Sequence, residues 1–289
     1  MRGTFSALSR CWACHLTKSS QAPSVGWSTP YEIALLIVSI LLFGAFVLWE
    51  RSIASQPIIP LDIFEAPSFL MLIGVVLLNY MSVGIVIWYQ ILWMQEVWFW
   101  SVLHTAVAWT PFVIFAIAAS GLAAWMIPRL AAQWILAFGT LTILASAVLM
   151  ATVPIHQTYW AQVFPSIVLF SFCPDFVYTA GQIIACSAVR RHQQGIAASL
   201  ISTLNLYGNS LGLGFASTVE DKVAAARHNS ILGYRAALLF GVGIAGVALV
   251  LGVFFVRMAK NEKEGWEEDE VMMGELPASA VTTGVARRP

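Results

Sequence analysis

Residues Ser68 to Trp93 read SFLMLIGVVLLNYMSVGIVIWYQILW, without one Asp, Glu, Lys or Arg. A helix rises 1.5 Å per residue, so about 20 apolar residues cross the ~30 Å hydrocarbon core of a bilayer. The run is long enough to do so. Working outward, charge stays scarce: from Ser68 to Val189 the only ionised residues are Glu96, Arg129 and Asp175, three in 122 positions. The whole chain of 289 residues is 59% hydrophobic and 10% charged, with net charge +0 and mean hydropathy +0.78. A soluble chain carries about 25% charged residues. Lipid must therefore solvate most of this one, which excludes soluble enzymes, secreted disulfide scaffolds and nucleic-acid binders.

Seven segments meet the length requirement: approximately 31–49, 68–93, 101–127, 133–153, 159–189, 195–219 and 235–258. The breaks between them carry turn chemistry or charge: Glu50-Arg51 with Pro57 and Pro60, Pro128-Arg129, Pro154, Arg190-Arg191-His192, and Glu220-Asp221-Lys222. The reading is an all-α polytopic membrane protein with seven transmembrane helices. Placing the C-terminus in the cytoplasm puts nine Lys and Arg inside and six outside, which predicts an N-out, C-in topology.

Three regions follow. Residues 1–30 form an N-terminal leader or loop remnant, basic and acid-free over its first 26 positions like a transit peptide. Cys11-Trp12-Ala13-Cys14-His15 matches a haem-attachment pattern formally, but the stretch is too short to enclose a porphyrin, so no cofactor is expected. Residues 31–258 form the transmembrane region. Residues 259–289 hold seven acids and form a solvated, disordered cytoplasmic tail.

Polar residues at bilayer depth carry the functional information, because each one costs free energy there. Asp175 lies 15 residues from both Trp160 and Arg190, near the midplane. Ser171, Asp175, Thr179, Gln182 and Cys186 share one face of its helix, and Pro165 and Pro174 are expected to interrupt the hydrogen-bond ladder. The following segment shows a second stripe of Ser199, Ser202, Asn205, Asn209, Gly212 and Ala216. Gly208, Gly212 and Gly214 there predict close helix packing. Upstream, Asn79, Ser82, Tyr89 and Gln90 are expected to point inward, and Trp109-Thr110-Pro111 to bend the third span. Cys173 and Cys186 read as small apolar packing. His104 and His156 are interfacial, with no second ligand at helical spacing to make a metal site.

These residues carry a resemblance. The stretch from Asp175 to Glu220 holds an intramembrane Asp, then Gln194-Gly195-Ile196-Ala197-Ala198-Ser199-Leu200, then Tyr207-Gly208-Asn209-Ser210-Leu211-Gly212-Leu213-Gly214-Phe215-Ala216, then Val219-Glu220. It resembles the major facilitator superfamily, in its fungal 14-helix drug:proton antiporter branch of the aminotriazole-resistance type. Trp27-Ser28, the segment from Glu50 to Leu61, and Ile127-Pro128-Arg129-Leu130 resemble that branch more diffusely. Pro174, directly before Asp175, departs from a pattern that more often has Gly one or two places ahead.

The resemblance implies the C-terminal half of a longer transporter, one linker span plus a six-helix bundle. It implies proton-coupled export of small organic or xenobiotic molecules, with Asp175 as the proton-coupling or substrate group. Asn79, Tyr89, Thr179, Gln182, Asn205 and Asn209 would line the cavity. The partners would be the bilayer, a small-molecule substrate, protons and a second half-transporter or homodimer, in the plasma membrane or in a vacuolar or other internal membrane. A non-transporting half-bundle, an assembly subunit or the relic of a disrupted gene, is the alternative. A seven-helix receptor is a third reading, but Glu/Asp-Arg-Tyr and Asn-Pro-x-x-Tyr are both missing from the expected places. No nucleophile with its base, paired carboxylates or metal cluster suggests an enzyme.

Overall fold

The computed structural model describes residues 67–189 and 193–256, together with the helical positions Ile37, Val38, Leu41 and Leu42. The basic leader, the rest of the first predicted span, residues 43–66, Arg190-Arg191-His192 and the acidic tail lie outside the described residues. Seven α-helices follow: α1 Pro67–Leu92, α2 Val102–Ala108, α3 Thr110–Met126, α4 Ala132–Ala151, α5 Val163–Ser187, α6 Gln194–Arg227 and α7 Ser230–Phe254. A single π turn, Trp93–Val97, continues α1.

Local chemistry sets the helix ends. Pro67 opens α1, where a missing N–H goes unneeded. The Ser101 hydroxyl caps α2 by accepting from the His104 N–H at 3.2 Å. Trp109 separates α2 from α3, and Pro111 sits in the first turn of α3, so the expected bend is a short break. Asn229 caps α7 through Oδ1, which accepts from Ile231 N at 3.0 Å and Leu232 N at 3.4 Å.

Two local expectations are corrected. Glu220-Asp221-Lys222 is no break: α6 runs through it to Arg227. Glu, Lys, Ala and Arg are good helix formers, and charge alone ends a membrane span without ending a helix. Pro165 does not interrupt α5, because it stands in the first turn, where no helical partner is lost. Pro174 is the one proline inside α5, and it leaves the Phe170 carbonyl without its N–H partner.

Five of the described helical segments are long and apolar enough to cross a bilayer: 69–97, 102–126, 132–151, 163–187 and 230–254. α6 reaches the length and not the apolarity, so the predicted span at 195–219 is less lipid-like than the others. Its serines, threonines and asparagines lower its hydropathy, and α1, α5 and α7 pack around it.

α1 is the hub of the bundle. It packs against α4, α5, α6 and α7, and Leu72, Val75, Val76, Ile85 and Val86 are fully buried. α3 touches chiefly α5 and leaves Val113, Ile114, Ile117 and Trp125 exposed. With α2 and α3 taken as one broken span, successive spans alternate in direction, so residues 93–101, 152–162 and 228–229 share one end of the bundle, and residues 127–131 and 188–189 share the other.

A buried polar triad joins three helices. Gln90 Nε2 donates to Ser166 Oγ at 2.7 Å, and Ser166 Oγ lies 2.9 Å from Ser146 Oγ. All three residues are fully buried. Removing the shared hydroxyl strands Gln90 Nε2, while Ser146 Oγ keeps the Ser166 carbonyl at 2.9 Å, so Ser166→Ala is expected to lower stability by about 1–2 kcal/mol. Thermal unfolding in detergent measures this, and an unchanged midpoint would show that the triad adds nothing.

Candidate functional site

α5 and α6 bring the two predicted polar stripes side by side. Between them and α1 lies a groove of about 400 Å³ lined by Tyr80, Pro174, Asp175, Tyr178, Ser202, Asn205 and Leu206. Asp175 and Asn205, drawn from different helices by sequence alone, meet here. Among the described residues the Asp175 carboxylate accepts no hydrogen bond and faces no cation. The Tyr178 and Ser202 hydroxyls lie 3.0 Å apart across the groove wall, linking α5 to α6. Tyr80 reaches from α1, its hydroxyl donating to the Pro174 carbonyl at 3.4 Å.

The groove thus presents one free carboxylate, two phenols, a hydroxyl and an amide beside an apolar wall. Such a set can take up a proton or hold a small molecule through charge and directed hydrogen bonds. No described cluster of His, Cys, Asp and Glu could hold a metal ion.

The other expected site residues divide. Asn209 turns back on its own helix, Nδ2 donating to the Asn205 carbonyl at 2.8 Å and to Asn205 Oδ1 at 3.0 Å. It braces Asn205 and is not part of the groove lining. Thr179 and Gln182 are half-buried on α5 beyond the groove. Asn79 is fully buried between α1 and α5 and accepts from Cys173 Sγ at 3.3 Å, so it lies inside the bundle and away from the groove. That bond gives Cys173 a polar role beyond small apolar packing.

Tyr89 belongs to a separate cluster at the bundle end. Its hydroxyl donates to the Glu220 carboxylate, and its ring lies 6.1 Å from that of Tyr234. Arg235 nearby donates from Nη2 to the Val153 carbonyl at 2.8 Å and covers the Trp93 ring at 5.8 Å. Ser82 and Gln90 are buried as expected, Ser82 donating to the Gly241 carbonyl at 3.2 Å.

The packing glycines hold α6 against α1. A Cβ on Gly208 would stand 2.8 Å from Tyr80 Cβ, and one on Gly212 would stand 2.6 Å from Met81 Cα. Gly214 is buried as well. The reciprocal contact is Gly84 of α1, where a Cβ would meet the Asn209 carbonyl oxygen at 2.6 Å. This close approach is what sets Tyr80 beside the α6 stripe.

Tyr80 and Tyr178 are not singled out by the sequence, and Glu220 enters it only as part of a break and as the end of the resembling stretch. Tyr178 stands three residues from Asp175 and Ser202 three from Asn205, so helical spacing carried a signal for the groove. Tyr80 carried none, because only the packing of α1 on α6 decides where it points.

No protein-family model matches the chain. Individual fungal proteins do. The low affinity ammonium transporter of Saccharomyces cerevisiae is 31% identical over 81% of this chain and 44% of its own length. The aminotriazole resistance protein of the same yeast is 26% identical over 82% of this chain and 44% of its own length. A major facilitator superfamily multidrug transporter of Aspergillus fumigatus is 31% identical over 87% of this chain and 42% of its own length. The chain thus spans less than half the length of these relatives, all of them transporters. On the matches and the helical bundle together, the chain belongs to the major facilitator superfamily, among its fungal transporters, and is an integral multi-pass membrane protein.

Proposed function

We propose that the chain forms one bundle, the C-terminal one, of a proton-coupled transporter that exports small organic molecules, and that Asp175 couples proton movement to substrate movement. The observation that carries this reading is the Asp175 carboxylate, deep in the membrane-spanning part of α5, without a partner among the described residues, in an open groove beside Asn205 and two tyrosines. An acid at that depth is costly when ionised, so proton uptake and release there can follow which side of the membrane the groove faces. Alternating access requires a second bundle across the groove. Either another chain or further residues of a longer chain can supply it. The relatives' names support a small cargo of varied kind: the multidrug transporter fits an organic one, and the ammonium transporter names an inorganic ion.

The test is a flux assay in liposomes, with ethidium as probe and an imposed pH gradient. The chain is assayed alone and together with the complementary half of the aminotriazole-resistance relative. Flux that follows the gradient and collapses with a protonophore is expected in the paired sample. Gradient-independent leakage, or no flux in either sample, would favour a bundle that assembles without transporting.

A further inference from the structure

At the bundle end opposite residues 127–131, a second cleft of about 700 Å³ opens, and its lining differs in kind from the groove. Trp98, Trp100, His104, His156, Tyr159 and Trp160 contribute to it, and among the described residues no Asp, Glu, Lys or Arg lines it. The rings face one another. Trp98 and Trp100 lie 5.1 Å apart, Trp100 stacks on His104 at 4.1 Å and 14°, Trp100 lies 5.9 Å from Tyr159, and Tyr159 meets Trp160 edge-on at 5.3 Å. Ordinary interfacial tryptophans anchor singly at headgroup level. Here they converge on a concavity.

The backbone is built to hold that arrangement. α1 leaves through the π turn Trp93–Val97, and Phe99 then adopts φ 54°, a left-handed conformation uncommon for a bulky residue. Trp98 and Trp100 flank this reversal. Two long-range bonds tie the cleft walls: Trp98 Nε1 donates to the Ile155 carbonyl at 3.1 Å, and the Tyr159 hydroxyl donates to the Ala108 carbonyl at 2.7 Å. Strained backbone and π turns persist where surrounding structure enforces them, and they cluster at binding sites.

We propose that this cleft is a binding site for flat organic cations, separate from the groove at Asp175. Aromatic faces attract a cation through their quadrupole without a carboxylate, and a flat ring can lie against the rings that line the concavity. About 18 Å of α5 separates Val163, at the cleft end, from Asp175. The two sites therefore do not share a ligand position, and binding in the cleft does not depend on transport.

The probe is 10-methylacridinium, whose fluorescence indoles quench, titrated against the purified chain in detergent at mildly alkaline pH. The titrations use an Asp175→Asn background, so that the groove carboxylate plays no part. This background is expected to bind the probe. Trp100→Ala and Trp160→Ala are each expected to weaken binding about tenfold, Trp100→Phe to recover most of the loss, and uncharged acridine to bind about tenfold more weakly than the cation. Trp160 is 70% exposed, so its truncation leaves the fold intact and decides the matter even if Trp100→Ala does not fold. The proposal is overturned if the Asp175→Asn chain does not bind, if Trp160→Ala binds as tightly as its background, or if acridine matches the cation. The reading of Asp175 as the coupling group survives each of those results.

Discussion

Asp175→Asn is expected to abolish gradient-driven flux while leaving the bundle folded. The amide has the carboxylate's shape and takes up no proton at any working pH, so coupling is expected to fall at least ~100-fold. Stability should be almost unaffected, within roughly 0.5 kcal/mol, because the side chain is half-exposed to the groove and gives up no hydrogen bond among the described residues. The two measurements separate coupling from folding: flux under an imposed pH gradient, and thermal unfolding of the same preparation. Undiminished flux would remove Asp175 from the coupling step. A large drop in unfolding temperature would mean that the carboxylate has a structural partner instead.

The second large effect belongs to Gly212→Val. The added Cβ would lie 2.6 Å from Met81 Cα and 2.7 Å from Met81 C, which are backbone atoms of the hub helix. A flexible side chain could swing aside, but a helix backbone cannot, so α6 would have to lift off α1. At the crossing, Gly84 meets Asn209 with equal closeness, and the separation would break both contacts. Overpacking a core costs about 1–3 kcal/mol, and a clash with backbone belongs at or beyond the upper end. The Gly212→Val chain should aggregate or unfold far below the wild type in detergent. Gly246→Ala is the control, since a Cβ there meets nothing within 4 Å. It should be neutral or stabilising by up to about 1 kcal/mol. Equal behaviour of the two variants would rule out tight α1–α6 packing.

Both predictions rest on what was legible in the sequence and on what was not. The apolar runs behind α1, α3, α4, α5 and α7 and the breaks at Pro128 and Pro154 were plain, because lipid demands long uncharged helices. Asp175 and Asn205 stood out because polar groups are scarce at that depth. The facing of each helix was not legible. In a segment apolar on every side, no amphipathic direction marks inside from outside, so Tyr80 gave no sign of converging on Asp175, and Tyr178 was tied to it only by helical spacing. For the same reason Gly84 went unremarked although Gly208 and Gly212 did not: a lone glycine in α1 acquires meaning only opposite Asn209. The end of α6 was misplaced on a different ground. Glu220-Asp221-Lys222 marks where a helix leaves hydrocarbon, and the backbone ladder continues past that point.

That continuation has a mechanical consequence. At 34 residues α6 measures about 51 Å against roughly 30 Å of hydrocarbon, and it contains no proline at which to hinge. It is a stiff lever that projects beyond the lipid. Its far arm carries Glu220, bonded to Tyr89 of α1, and its near arm carries Ser202 and Asn205 in the groove. A tilt of this rod that opened the groove at Asn205 would shift Glu220 against Tyr89 in the same stroke, so an event at mid-membrane would be felt at the bundle end without any change in the helix itself.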